Sequence, residues 1–252
     1  MRAALLLWLI SSTAAAQIVN VQPLLAKHEM RPGLGLALES ALDWRTGNTS
    51  LLLFSANLLA RYRRGRHHLF LLGHAELGIK SGERFLSKDL EHLRYRVEVV
   101  RALDLETFVQ HDRDEFRRSA LRVVWGAGPR VRLIMTHRYE VAVAAAYLGE
   151  YQQIRRDDKP DAGSTRLMHR ISAYATFVVR IGARFSLAET VYAQPRIGLP
   201  QDVRLLEETE LLGSVTEHLS LKLAWTLAYD NVPPIAVQPL DTGVRFLLQM
   251  NW

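Results

Sequence analysis

The sequence predicts an all-β chain: a closed antiparallel up-and-down transmembrane β-barrel of about twelve strands, following an N-terminal signal peptide. Three observations lead there. Apolar and polar residues alternate along most of the chain, the connections between alternating segments differ in length in a regular order, and the first residues have the make-up of an export signal.

The N-terminus carries Arg2, the apolar run Ala3 to Ile10, and the small residues Ser11 to Ala16. These are the charged, greasy and small-residue regions of a secretory signal. The apolar run falls well short of the roughly 20 residues a helix needs to cross a bilayer, so cleavage after Ala16 is expected instead of anchoring. Residues 1–16 are then the signal, 17–32 a periplasmic segment and 33–252 the barrel, placed in the outer membrane of a Gram-negative bacterium. The 252-residue chain has no cysteine, which excludes a disulfide framework and thiolate metal or redox sites. Its net charge of +6 is scattered among apolar residues, without a basic arm. Nucleic acid is therefore not an expected partner, whereas lipid and lipopolysaccharide phosphates are.

A strand with lipid on one side and water on the other shows a period of two over about ten residues. In the first segment, Leu34, Leu36, Leu38, Leu42 and Trp44 oppose Gly35, Ala37 and Glu39. In the third, Leu69, Leu71, Ala75, Leu77 and Ile79 oppose His68, His74, Glu76 and Lys80. The fourth is sharper. Leu93, Tyr95, Val97 and Val99 interleave with His92, Arg94, Arg96 and Glu98, and no soluble core buries both faces of such a strand without many paired charges. Ile171 to Val179 and Leu219 to Tyr229 repeat the pattern. Two segments are weaker: 185–193 shows no clean side, and 202–215 sets Glu207 and Glu208 on opposite faces, for which a bulge or a raised strand end is the expected reason. Closure follows because open edges leave backbone groups unpaired in lipid at several kcal/mol each.

Short connections are expected at Arg64–Arg66, Ala102–Asp104, Thr136–Arg138, Gly182–Arg184 and Thr216–His218 on the periplasmic side. Outer connections are expected at 45–49, 81–87, 111–116, 153–165, 194–201 and 231–240, holding Pro160, Pro195, Pro200, Pro233, Pro234 and Pro239. Pro129, beside Gly126 and Gly128, is the expected site of a bulge. Trp44, Tyr62, Tyr151, Tyr229 and Trp252 fall near strand ends, as an interfacial girdle requires, the alternative being aromatics of a sandwich core. Val244, Phe246, Leu248, Met250 and Trp252 alternate up to a terminal aromatic. That ending resembles the signal read by the barrel-assembly machinery, an expected partner.

From about Gly33 to Trp252 the chain resembles the family catalogued as domain of unknown function 481, which includes proteins described as salt-induced outer-membrane proteins. The carriers, in order, are Thr46-Gly47-Asn48-Thr49, His111-Asp112-Arg113-Asp114-Glu115-Phe116, Gly126-Ala127-Gly128, and Tyr229-Asp230-Asn231-Val232-Pro233-Pro234 followed by Asp241-Thr242. The resemblance implies an outer-membrane barrel and carries no activity.

No catalytic motif such as Gly-x-Ser-x-Gly is present, and His111 beside Asp112, with Ser81 and Ser87, reads as loop polarity instead of a lipid-hydrolysing set. Asp112, Asp114 and Glu115 read as solvated loop charges, not calcium ligands. Neither an enzyme, a metal nor a cofactor is expected. The inward polar set Arg61, His74, Glu76, Arg94, Arg96 and Glu98 is expected on the lumen wall. Two function classes stay open: a narrow channel or small-solute porter, and a structural or adhesive envelope barrel whose loops do the work.

Overall fold

Twelve segments alternate strictly enough to pair as strands: β1 (Gly33–Arg45), β2 (Leu51–Arg64), β3 (His67–Lys80), β4 (Glu83–Val100), β5 (Leu103–Asp114), β6 (Ser119–Met135), β7 (Tyr139–Ile154), β8 (Thr165–Ile181), β9 (Phe185–Arg196), β10 (Leu199–Ser214), β11 (Leu219–Asp230) and β12 (Leu240–Asn251). The computed structural model describes Asn20, residues 32–46 and residues 50–251. The expected signal peptide, most of segment 17–32 and Trp252 lie outside the described residues. Each strand pairs antiparallel with its sequence neighbours, and β12 returns to β1, closing the barrel.

The two faces separate as a period of two demands. On β4, Leu93 is 40% exposed whereas Arg94 is 3% exposed, and the same alternation runs through β5, β8 and β11. Apolar side chains such as Leu71, Leu93, Val109, Trp125, Ile171, Leu221 and Phe246 therefore form the exterior, while charged ones are buried within. A soluble protein rarely exposes so continuous an apolar surface, but lipid solvates it. No described helix is long and apolar enough to cross a membrane. The protein is a barrel of the outer-membrane type.

With an even strand count, both ends of the barrel wall lie at one rim. Five short turns sit there, while the opposite rim carries the longest connections, 155–164 and 231–239. Three expected outer loops are shorter than the sequence suggested. Ser81 and Gly82 alone join β3 to β4, with φ of 52° and 83°, the double positive φ that a two-residue hairpin turn requires. Ile197 and Gly198 alone join β9 to β10, and β5 continues to Asp114. Pro195 and Pro200 consequently lie inside strands, next to the register shift between Leu199 and Val203, where a missing ladder donor is tolerated.

Pro129 is not a bulge. It pairs with Leu105, and the β6 shifts fall instead between Ser119 and Leu121 and between Arg132 and Ile134. The weak segment 185–193 has a clean inner side after all, Ala188, Thr190, Tyr192 and Gln194 being buried. Its apparent disorder came from Glu189, which faces outward. The β10 register is likewise unbroken from Val203 to Gly213, so Glu207 and Glu208 truly lie on opposite faces. Outward Glu207 accepts from Trp225 Nε1 at 2.8 Å and from Thr209 Oγ1 at 2.7 Å, and Thr209 also contacts Glu189. Local partners thus offset the cost of polar groups on a lipid-facing wall.

In cold detergent the folded chain is expected to run as a compact band that shifts on boiling, because the barrel opens only when many ladder hydrogen bonds and the ion pairs across the bore break together. An identical mobility before and after boiling would contradict the barrel.

Candidate functional site

Side chains that alternate inward from a closed sheet meet one another across the bore, so their charges must be paired. Glu150 on β7 is the centre of one cluster. Its carboxylate takes Arg122 Nε of β6 at 2.7 Å and Arg204 Nη1 of β10 at 2.6 Å, with Arg170 Nε of β8 at 3.4 Å. Those arginines reach onward: Arg122 to Asp112 at 2.9 Å, Arg170 to Asp202 at 2.7 Å and Arg204 to Asp230 at 2.9 Å. Arg204 bridges strands three apart, so this contact crosses the interior instead of running along a ladder.

A second cluster stands on Glu106 of β5, which receives Arg94 at 3.2 Å, Arg96 Nε at 2.6 Å and, from β8, the Tyr174 hydroxyl at 2.8 Å. Nearer the turn rim, Arg130 pairs with Asp104 at 2.9 Å and Glu140 at 3.3 Å, and Arg132 with Glu98 at 3.3 Å. On the other side of the bore Lys222 of β11 spans to Glu39 of β1 at 2.8 Å and to Glu210 at 3.1 Å. Asn20, from the segment preceding the barrel, donates to inward Glu208 at 3.5 Å.

The interior is not uniformly polar. Leu59, Phe70, Leu72 and Leu90 form one buried apolar cluster, and Tyr174, Tyr192, Leu206 and Ala228 another. Between the Glu106 and Glu150 clusters remains a cavity of about 20 Å³ bordered by His92, Arg94, Gln110, Arg122, Tyr192 and Gln194, room for about one water molecule. In the state described, side chains fill the bore at this level.

The loop rim is fastened by one residue. Arg118, in the turn between β5 and β6, holds Asp157 at 2.6 and 2.7 Å, Asp161 at 2.7 Å and the Ile235 carbonyl at 2.7 Å. Asp161 in turn accepts the Ile235 N–H at 3.1 Å, so three connections meet on a single guanidinium. Neighbouring Arg117 reaches Asp241 at the start of β12. Arg118 adopts φ 55°, a left-handed conformation that costs a non-glycine residue roughly 1–2 kcal/mol, and its fan of hydrogen bonds sustains it. The hydrogen bonds from Arg118 hold the Asp157 carboxyl down at about 2. Burial would raise Asp161, but the Ile235 N–H and Arg118 outweigh it and leave that carboxyl below its usual range. The same partners raise Arg118.

Of the six residues expected on the lumen wall, Arg94 and Arg96 are buried against Glu106, and Glu98 meets Arg132. His74 and Glu76 contact each other at 3.3 Å, and His74 also meets Asn57 at 2.6 Å. Arg61 is half-buried beside Gly35, where its guanidinium fills the space a Cβ would need. Parity could have added Arg122, Glu150, Arg170 and Arg204, which alternate with apolar neighbours. For Arg118, Asp157 and Asp161 no sequence signal exists, since they meet only through the fold. Among the girdle residues, Trp44 and Tyr62 are exposed, Tyr151 and Tyr229 are half-buried, and Trp252 lies outside the described residues.

His111 and Asp112 do not act together. His111 faces outward, bonded to Glu91 at 2.7 Å with Asp89 close by, whereas Asp112 turns inward to Arg122. Asp114 likewise faces Lys88 at 3.6 Å, so neither is a solvated loop charge.

The family described as "Protein of unknown function, DUF481" matches residues 38–252. The chain belongs to the DUF481 family. Its fold is similar to that of the NanC porin, with a TM-score of 0.52 at 8% identity over 86% of this chain and 98% of that one. It is also similar to the KdgM porin solved in complex with disordered oligogalacturonate, with a TM-score of 0.50 at 7% identity over 87% and 99% of the two chains. At such identities the likeness is one of fold. No curated protein matches the sequence.

Tyr174→Phe removes one buried donor from Glu106 while keeping the ring, and should lower stability in urea by about 1.5–3 kcal/mol, the usual worth of a hydrogen bond to a charged group. An unchanged midpoint would show that the cross-bore contact is not made in the membrane.

Proposed function

We propose that this DUF481 protein is an outer-membrane channel for small polar solutes that rests closed, with its gate at the loop rim. It reaches that membrane through the N-terminal signal and the barrel-assembly machinery, which recognises the C-terminal strand, and its apolar belt sits among outer-membrane lipids and lipopolysaccharide. It is not an enzyme.

The observation that carries this reading is the charged lattice itself. A barrel needing only to be filled is served as well by apolar side chains, since exchanging buried ion pairs for packed apolar groups is often neutral or stabilising by about 1–4 kcal/mol. Here charged and polar groups instead line the bore from Asp104 at the turn rim, through Glu106 and Glu150, to Asp230 at the loop rim. Such groups exchange one partner for another, or for water, as a hydrated solute passes. The lid over the mouth is likewise ionic, so it opens by loss of a few contacts instead of by unpacking a core.

The filled interior supports the second reading, a non-conducting structural or adhesive barrel acting through its loops. Planar-bilayer recording separates the two. Wild type at neutral pH should give rare, small conductance steps, and Arg118→Gln should raise the open fraction. Acid should act similarly. The contribution of Asp157 to the clasp is present above the ordinary carboxyl value of 3.8 and is lost as pH falls towards about 2, so opening should rise across that window and not between pH 5 and 8. A folded Arg118→Gln protein that stays silent across this range would leave the structural reading in place of the channel.

A further inference from the structure

Arginine recurs in the short turns. Among the described residues, the turn rim exposes Arg64 and Arg66 at the β2–β3 turn, Arg101 between β4 and β5, Arg138 between β6 and β7, and Arg184 between β8 and β9. These turns are successive, so the five arginines form an arc along one side of the rim, whereas the β10–β11 turn carries Glu217 and His218 instead. None of the five has a carboxylate partner: the acids of this end, Glu98, Asp104 and Glu140, are taken by Arg130, Arg132 and Arg180. Arg66 Nη1 meets the Val99 carbonyl at 3.4 Å. At the opposite rim surface bases stand beside acids, Arg113 with Glu115 at 3.0 Å and Lys159 with Asp158 at 3.1 Å.

The arginine backbones are fixed while their side chains are not. The carbonyls of Arg66, Arg138 and Arg184 each accept an N–H from the strand beyond, that of Glu98 on β4, Arg180 on β8 and Ser214 on β10, at 2.8–2.9 Å. The side chains leave the ladder where the apolar wall ends. Arg64 follows Tyr62 by two residues and so shares its outward face, Arg138 lies 5.5 Å from the centre of the Tyr139 ring, and Arg184 directly precedes Phe185. These three aromatics are exposed on the lipid-facing wall. A guanidinium beside an outward aromatic at the end of such a wall stands at headgroup depth, its stem against hydrocarbon and its charge in the interface.

We propose that the arc from Arg64 to Arg184 binds anionic diacyl phospholipid of the phosphatidylglycerol class in the leaflet that meets the short turns. Each planar guanidinium offers paired N–H donors that match the oxygens of a phosphodiester, and the acyl chains run along the adjoining aromatics and leucines of the wall. A soluble polyanion would meet the same charges but would leave Tyr62, Tyr139 and Phe185 unused; a lipid occupies both. The inference rests on the membrane placement proposed above, not on conduction, and adds to it a headgroup preference confined to one rim and one side of the barrel.

The test uses the full chain refolded into phosphatidylcholine liposomes that carry either spin-labelled phosphatidylglycerol or spin-labelled phosphatidylcholine. Electron spin resonance of the lipid immobilised at the barrel gives their relative association constant. Phosphatidylglycerol should be favoured about fivefold, the scale of one arginine's attraction to an anionic lipid surface. Arg64→Gln/Arg138→Gln/Arg184→Gln should cut that preference at least about threefold, while Arg113→Gln/Arg155→Gln/Arg156→Gln, an equal loss of charge at the loop rim, should leave it unchanged; heat-modifiable mobility checks that both variants fold. Equal losses in the two variants, or an undiminished preference in the first, would overturn the proposal. Wild type supplies a reading that needs no variant: a preference untouched by 1 M salt, where the screening length falls to about 3 Å, or displaced by soluble glycerol phosphate, would overturn the assignment to lipid. A silent barrel that keeps the preference refutes the channel alone, and a conducting barrel without it refutes the arc alone.

Discussion

Everything inside this barrel depends on pairing guanidinium with carboxylate where water is scarce. A lone charge in such a place is costly, and breaking a buried pair from one side typically costs about 3–5 kcal/mol. The structure answers by sharing. Glu150 serves Arg122, Arg170 and Arg204, and each arginine has a second acid beyond it. Because the partners sit on β6, β7, β8 and β10, the lattice ties non-adjacent staves together, adding to the backbone ladder a set of contacts across the bore. The fold creates the demand and the side chains meet it.

The same logic organises the rims and the wall. At the loop rim Arg118 does for three connections what Glu150 does for three strands, gathering them on one planar group with hydrogen bonds of 2.6 to 2.7 Å. On the outside, Glu207 and Glu189 are tolerated because Thr209 and Trp225 lie beside them in register. On the proposed channel reading, opening is a matter of how readily the ionic clasp over the mouth yields.

Strand existence, facing and closure were legible because lipid enforces them residue by residue: Leu93, Arg94, Tyr95 and Arg96 can face only one way each. Turn lengths were less legible. Polar residues at 81–87 and 194–201 read as loops, but β4, β9 and β10 run on through most of them and stay paired, and polarity alone does not distinguish such a strand end from a loop. Glu189 and Glu207 blurred their segments for a related reason, since outward acids break the pattern and their partners come from other strands. The inner apolar cluster of Leu59, Phe70, Leu72 and Leu90 also escaped notice, an inward leucine being indistinguishable from an outward one without the register. Contacts such as Arg118 with Asp157, Asp161 and Ile235 join residues far apart in sequence, and no local pattern encodes them.

The account stands on Glu150 and its arginines acting as one coupled unit, and a double-mutant cycle on Glu150 and Arg204 measures that coupling directly. Glu150→Met and Arg204→Met, singly and together, are unfolded in urea from the same lipid vesicles. The lattice predicts that each single change destabilises the barrel strongly while the double change costs far less than their sum, with a coupling energy of about 1.5 kcal/mol or more. Strictly additive losses would mean that the two groups do not meet across the bore, and the lattice would not be what fills and holds this barrel.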